Sequence, residues 1–163
     1  MDKRIIGIAD RPDLTPLVAG WLWEAFWRGD GHTLAEIEAL VAAGTAACGP
    51  PQTFVMLLDG APVGTASLAA HDLDSRPDLT PWLAGVYVVP EVRGQGLVQD
   101  LVGAVENAAR AAGIAGLWLY TRKAERVYLR GGWRTVEHFT HHGAQAALMR
   151  RELDYPMTEG VGA

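Results

Sequence analysis

"VVPEVRGQGLVQD", residues 88–100, joins an apolar run to a helical pattern through two glycines that flank a glutamine. Glycine takes positive φ at little cost and lets the backbone approach another group closely. The N–H groups of such a turn and of the first helical residues have no partner within their own segment, and the helix dipole adds partial positive charge there. A pyrophosphate fits such a place, with Arg93 beside it, and an ordinary tight turn between strand and helix fits it too. The sequence contains no G-x-x-x-x-G-K-[ST] and no G-x-G-x-x-G near its start, so neither a P-loop nor a Rossmann fingerprint is present.

Working outward, "WLAGVYVV" (82–89) is rich in β-formers and predicts the strand entering the turn. Leu97, Leu101, Val102, Val105, Ala108, Ala109 and Ala112 predict the helix leaving it, stopped by Gly113. Upstream, "RIIGIA" (4–9) predicts a first strand, and Leu14, Leu17, Val18, Trp21, Leu22, Ala25 and Phe26 form one helical stripe. Trp23 and Trp27 fall on the opposite side of that helix, either packing on the next helix or walling a cleft. Thr33 and Glu36 have capping-box spacing and open a second helix carrying Leu34, Ile37, Leu40 and Val41. "TFVMLL" and "VGTASLAA" flank Asp59-Gly60, a hairpin signal. Downstream, "LWLYT" predicts a strand and "AERVYLRGGW" a short helix ended by Gly131 and Gly132. "WRTVEHFT" and "QAALMRREL" predict a last hairpin around His142 and Gly143.

The chain has 163 residues with a net charge of −5, predicting one domain over 1–163 with a core about residues 4–153 and a frayed tail over 154–163. Its 49% apolar and 20% charged composition is that of a globular domain. The negative charge argues against nucleic acid as a partner. No apolar run is long enough to span a bilayer, so no membrane partner is expected. "MDKRIIGIAD" does not read as a secretory signal, and the lone cysteine, Cys48, suits a reducing cytoplasm. Cys48 lies in "GTAACGPP" without a nearby histidine, so no nucleophilic role is expected for it. His138 and His142 share a strand face while His141 points away, so no metal site is expected.

With these segments in place, "VYVVPEVRGQGLVQDLV" resembles the acyl-coenzyme A-binding motif of the GCN5-related N-acetyltransferase (GNAT) family, R/Q-x-x-G-x-G/A. Arg93, Gly94, Gln95, Gly96, Leu97 and Val98 fill its positions in order, with Val98 where the family prefers glycine or alanine. "LWLYTRKAERVYLRGGWR" is similar to the family's next strand and short helix, ending in Y-x-x-x-G-[FW] at Tyr128, Gly132 and Trp133. The resemblance covers about residues 4–153 and implies an α/β (α+β) fold. That fold is a mixed, mostly antiparallel sheet of about seven strands with about four flanking helices, splayed between the fourth and fifth strands. It implies acetyl-CoA as co-substrate, its pantetheine held by backbone of Tyr87, Val88 and Val89 and its pyrophosphate by the amides of residues 93–98.

The same resemblance implies that Tyr128 is the general acid of an N-acetyltransferase. A tyrosine, with an ordinary pKa near 10, stays protonated and can donate to a departing thiolate. The acceptor is a small-molecule amine or a peptide, attacked directly in a ternary complex. The fourth strand carries no acid, so Glu24, His71 and Asp72 stand as base or acceptor-binding candidates, each equally readable as a solvated surface group. Asp72, Asp74 and Asp78 cluster in one loop that could orient a cationic acceptor. Two alternatives stay open: a non-catalytic acyl-CoA-binding or partner-binding domain, and an enzyme using a different acyl-CoA. Exposed aromatics are compatible with a homodimer.

Overall fold

A computed structural model describes residues 1–153; the expected tail at 154–163 lies outside the described residues. Seven strands form one sheet in the order β1-β2-β3-β4-β5-β7-β6. They are β1 (Lys3–Gly7), β2 (Gln52–Leu58), β3 (Ala61–Ala69), β4 (Trp82–Val88), β5 (Gly116–Thr121), β6 (Arg134–His141) and β7 (Ala144–Glu152). Four α-helices accompany them: α1 (Thr15–Leu22), α2 (Leu34–Ala43), α3 (Leu97–Ala111) and α4 (Glu125–Arg130). Neighbouring strands are antiparallel except β4 and β5, which run parallel.

The apolar run of β2 is buried on both faces, which explains why it lacks alternation. Met56 and Leu58 join the core under α3 with Leu101, Val105 and Leu117. Val55 and Leu57 join a second core under α1 and α2 with Val18, Leu22, Ile37 and Val41. Both predicted hairpins close as two-residue turns with positive φ at each central residue, Asp59-Gly60 and His142-Gly143. Thr33 caps α2 as its spacing predicted, its hydroxyl accepting the Glu36 amide at 3.2 Å, while the Glu36 carboxylate pairs with His32.

The predicted helical stripes are narrower than the sequence suggested. Leu17, Ala25 and Phe26 stay exposed, and Thr15 and Ala19 are buried beside Leu14, Val18 and Leu22. For Ala25 and Phe26 the cause is a change of winding, since α1 ends at Leu22 and both lie in a π-turn, Trp23–Trp27, that breaks the helical phase. In α2, Ile37 and Val41 are buried while Leu34 and Leu40 face outward, because only one side of the helix meets α1. Among the described residues no helix is long and apolar enough to cross a membrane.

Gly64 of β3 sits where sheet and α3 meet. A Cβ there would lie 2.9 Å from the Tyr87 carbonyl oxygen and 3.0 Å from a Leu101 methyl. Gly64→Ala is therefore expected to cost about 1–3 kcal/mol through overpacking. Urea denaturation checks this; an unchanged midpoint would mean that β3 and α3 have room to part.

Candidate active site

β4 and β5 pair at a single register position, Trp82 with Trp118, and diverge beyond it. The gap is a cleft of about 360 Å³. Leu83, Ala84, Gly85 and Val86 line one wall, and Leu119, Tyr120 and Thr121 the other. A register shift in β4 sets Gly85 and Val86 against the single residue Ala66 of β3, with Gly85 at φ 60°. This bulge gives β4 a bend at the point where it leaves its neighbour.

Backbone direction along β4 follows from its pairing with β3. The Val89 amide donates to the Val63 carbonyl at 2.8 Å, so Val89 and, by alternation, Tyr87 turn their backbone groups toward β3. Val88, between them, turns its backbone away from β3, where its carbonyl accepts Arg93 Nε at 2.8 Å. Of the three residues expected to hold pantetheine, Val88 thus has the backbone directed away from β3. The Tyr87 ring instead packs on Trp21, with centroids 5.7 Å apart.

Past β4 the turn has the predicted shape. Gly94 and Gly96 adopt φ of 83° and 77°, and a Cβ on either would meet open space. Gly96 caps α3 with no side-chain hydrogen bond, which leaves the first amides of the helix, Leu97 and Val98 among them, directed outward. Val98 is half-buried against the core below α3, so its side chain is used in packing and its amide stays in the turn. Arg93 donates from Nε to the Val88 carbonyl at 2.8 Å and stands over the Tyr87 ring at 5.6 Å, bracing the turn against β4. Gln95 is exposed at the crest. The open backbone edge, the positive-φ glycines and the free helix start fit a pantetheine pyrophosphate.

Tyr128, on α4, lines the cleft and is otherwise buried. Burial pushes its phenol up to about 12, and among the described residues no hydrogen bond reaches its hydroxyl. Asp72 also lines the cleft, in the loop after β3. Burial, with Asp74 adding repulsion, raises its carboxyl to about 7. The other two base candidates lie elsewhere: Glu24 is exposed and pairs with Arg28 at 3.0 Å, and His71 is exposed and lines no part of the cleft.

A second hollow of about 240 Å³ adjoins the first and shares Trp27, Asp30, Asp72, Tyr120 and His141 with it. The π-turn delivers Phe26 and Trp27 to this end, whereas Trp23 donates its indole N–H to the His32 carbonyl. Asp30, Tyr120, His141, Arg122 and Lys123 were not singled out as site residues from sequence. Tyr120 carried a usable signal, since strand alternation in "LWLYT" puts it on the face opposite Leu117 and Leu119; Asp30 and His141 come from distant segments and carried none. Desolvation, His142 and Arg122 lower the His141 pKa, favouring its neutral form. His138 faces Glu125 on the surface, 3.0 Å away.

Residues 18–133 match the family model described as the Acetyltransferase (GNAT) family, and the chain belongs to that family. No curated protein matches it. Among solved structures it is similar to yncA, a putative acetyltransferase from Salmonella typhimurium with its cofactor acetyl-CoA, at 20% identity, TM-score 0.68 and 95% coverage of each chain. It is similar to an N-acetyltransferase from Staphylococcus aureus Mu50 at 16% identity, TM-score 0.72, covering 94% of this chain and 100% of that one. A spermidine N-acetyltransferase chimera from Vibrio cholerae SpeG and hSSAT is also similar, at 14% identity, TM-score 0.70, covering 94% and 96%. The seven-stranded mixed sheet parted at β4 and β5, with four helices, is the GNAT fold.

The Asp72 environment predicts a stability signature. An unfolded aspartate titrates near 3.9, while here the carboxyl titrates at about 7, so the folded state binds the proton more tightly. Its contribution is most favourable below about pH 4 and is lost as pH rises through about 7. Asp72→Asn should thus exceed the parent in stability above about pH 7, on the order of 1–2 kcal/mol because water in the cleft screens part of the burial. Near pH 4 the two should coincide. Urea titrations at the two pH values decide it: a difference independent of pH would place the carboxylate in bulk solvent.

Proposed function

We propose that the chain transfers an acetyl group from acetyl-CoA to a primary amine by direct attack within a ternary complex. The observation that carries this reading is the continuity of the cleft: it runs from the parted edges of β4 and β5 to Tyr128 on one side and Asp72 on the other. When bound, acetyl-CoA supplies a thioester, an acyl group already activated for transfer.

The chain's own groups then have distinct work. The amides of Gly94, Gln95, Gly96, Leu97 and Val98 hold pyrophosphate charge at the start of α3. An N–H on the open edge of β4 polarises the carbonyl, an oxyanion-hole contribution. Asp72, titrating near 7, takes a proton from the acceptor's ammonium, directly or through one water, and frees the lone pair. The new C–N bond forms as the C–S bond breaks, the nitrogen gives up its surplus proton to water, and Tyr128 gives its proton to the departing sulfur. With its pKa at about 12, Tyr128 remains protonated throughout the working range. Solvent returns the proton to it after release.

The acceptor end favours a small amine over a peptide. Phe26, Trp27 and Tyr120 enclose it, and Asp30 and Asp72 supply negative charge to a cation. The similarity to a spermidine N-acetyltransferase chimera supports a small cationic amine as the acceptor class. The exposed single cysteine accords with a cytoplasmic setting.

A thiol-release assay with acetyl-CoA over a panel of amines and peptides tests the reading. Tyr128→Phe should lower kcat about a hundredfold while acetyl-CoA affinity stays level. Acetyl-CoA binding with no turnover on any acceptor would replace the enzyme with a binding domain. With a working acceptor, kcat/KM should climb through about pH 7 in the parent. That climb should disappear in Asp72→Asn; if it persists, the base is another group.

A further inference from the structure

Glu106 is a charged residue buried as a whole, away from the cleft. It lies on the inner face of α3 between Val105 and Ala109, where an apolar residue would satisfy the pattern. Its Oε2 accepts the Trp133 indole N–H at 3.2 Å and stands 3.0 Å from Nε of Arg151 on β7. Arg151 reaches on, donating from Nη1 to the Gly131 carbonyl at 2.6 Å. A side chain on Gly132, at φ 94°, would collide with the same guanidinium.

All of these contacts converge on the residues that follow Tyr128. The Tyr128 carbonyl accepts the amides of Gly131 and Trp133, each at 3.0 Å, and its ring packs edge-on against Trp133 with centroids 6.2 Å apart. On the other side, Gln99 of α3 donates to the Val127 carbonyl at 3.0 Å. The segment bearing Tyr128 is thus gripped from α3 and β7 by side chains that themselves lie outside the cleft lining. A buried ion pair is a poor source of stability, because an apolar pair of equal volume usually serves as well. Here Arg151 Nε lies beside Glu106 without a hydrogen bond of its own, and the directional hold on the turn comes from Arg151 Nη1 on the Gly131 carbonyl and the Trp133 indole on Glu106.

We propose that Glu106, paired with Arg151, is a positioning residue for Tyr128: the pair fixes the turn at residues 131–133 and thereby the ring of Tyr128 in the cleft wall. This rests on the acetyl-transfer reading, in which Tyr128 is the acid. Glu106 touches neither the cleft nor the start of α3, so its loss should be felt in the chemical step and not in cofactor binding. The same helix that offers its amides to pyrophosphate thus also sets the acid.

The test combines Glu106→Gln with Tyr128→Phe in a double-mutant cycle. Glu106→Gln keeps the shape and an acceptor for Trp133 but removes the charge beside Arg151. It should lower kcat about tenfold and leave the acetyl-CoA Kd within about twofold. In the Tyr128→Phe background it should have no further effect on kcat. If Glu106→Gln leaves an unpaired buried cation that prevents folding, Glu106→Gln with Arg151→Met removes both charges and is expected to fold with kcat still reduced. An equal fall in kcat with and without Tyr128, or full kcat in either folded variant, overturns the proposal. The Tyr128 ring resonances, assigned by their loss in Tyr128→Phe, give a readout independent of turnover and should shift in the folded Glu106 variants. If the parent acetylates no acceptor, the acetyl-transfer reading falls, and unmoved Tyr128 resonances would overturn the positioning role separately.

Discussion

The structure depends on two parallel strands that stop bonding. After Trp82 and Trp118, β4 and β5 separate, and each is left with an edge of backbone groups lacking a strand partner. Such an edge inside a domain is costly unless water or a ligand satisfies it. Here the gap opens into a cleft, with the bulge at Gly85 turning β4 away and α3 beginning at the end of the strand. The rest of the sheet stays continuous, so the opening is held by rigid elements on both sides.

From that parting follows the division of labour around the cleft. One end presents amides and the start of a helix dipole, suited to anionic oxygens. The other presents Asp30, Asp72 and aromatic rings, suited to a cation. Between them stand a phenol and a carboxyl whose titrations are moved upward by the same cause, loss of water. For the phenol this secures the protonated form that an acid needs. For the carboxyl it raises proton affinity to the neutral range, where a base works well.

How much was readable in the sequence depended on the range of the interaction. Gly94 and Gly96, the hairpins at Asp59-Gly60 and His142-Gly143, and the Thr33 cap are local geometry, and local geometry is written in adjacent residues. The stripes of α1 and α2 were overdrawn, because periodicity marks which residues are apolar and cannot say which neighbour arrives to cover them. Leu40 and Phe26 are apolar residues in phase with a stripe that nothing covers. Glu106 offered the opposite clue, an acid in phase with the apolar face of α3, whose partners lie 27 residues on at Trp133 and further still on β7.

The sequence by itself determined the glycine turn, its place between a strand and an amphipathic helix, and the presence of Tyr128 before a Gly-Gly-Trp turn. Each is a matter of backbone freedom or periodicity within a few residues. Only the tertiary structure decided which of Glu24, His71 and Asp72 would meet Tyr128 across a common cleft, and that the Val89 amide turns to β3. Those outcomes rest on where β4 leaves β5 and on a π-turn that redirects Trp27, and both arise from packing between segments distant in the chain.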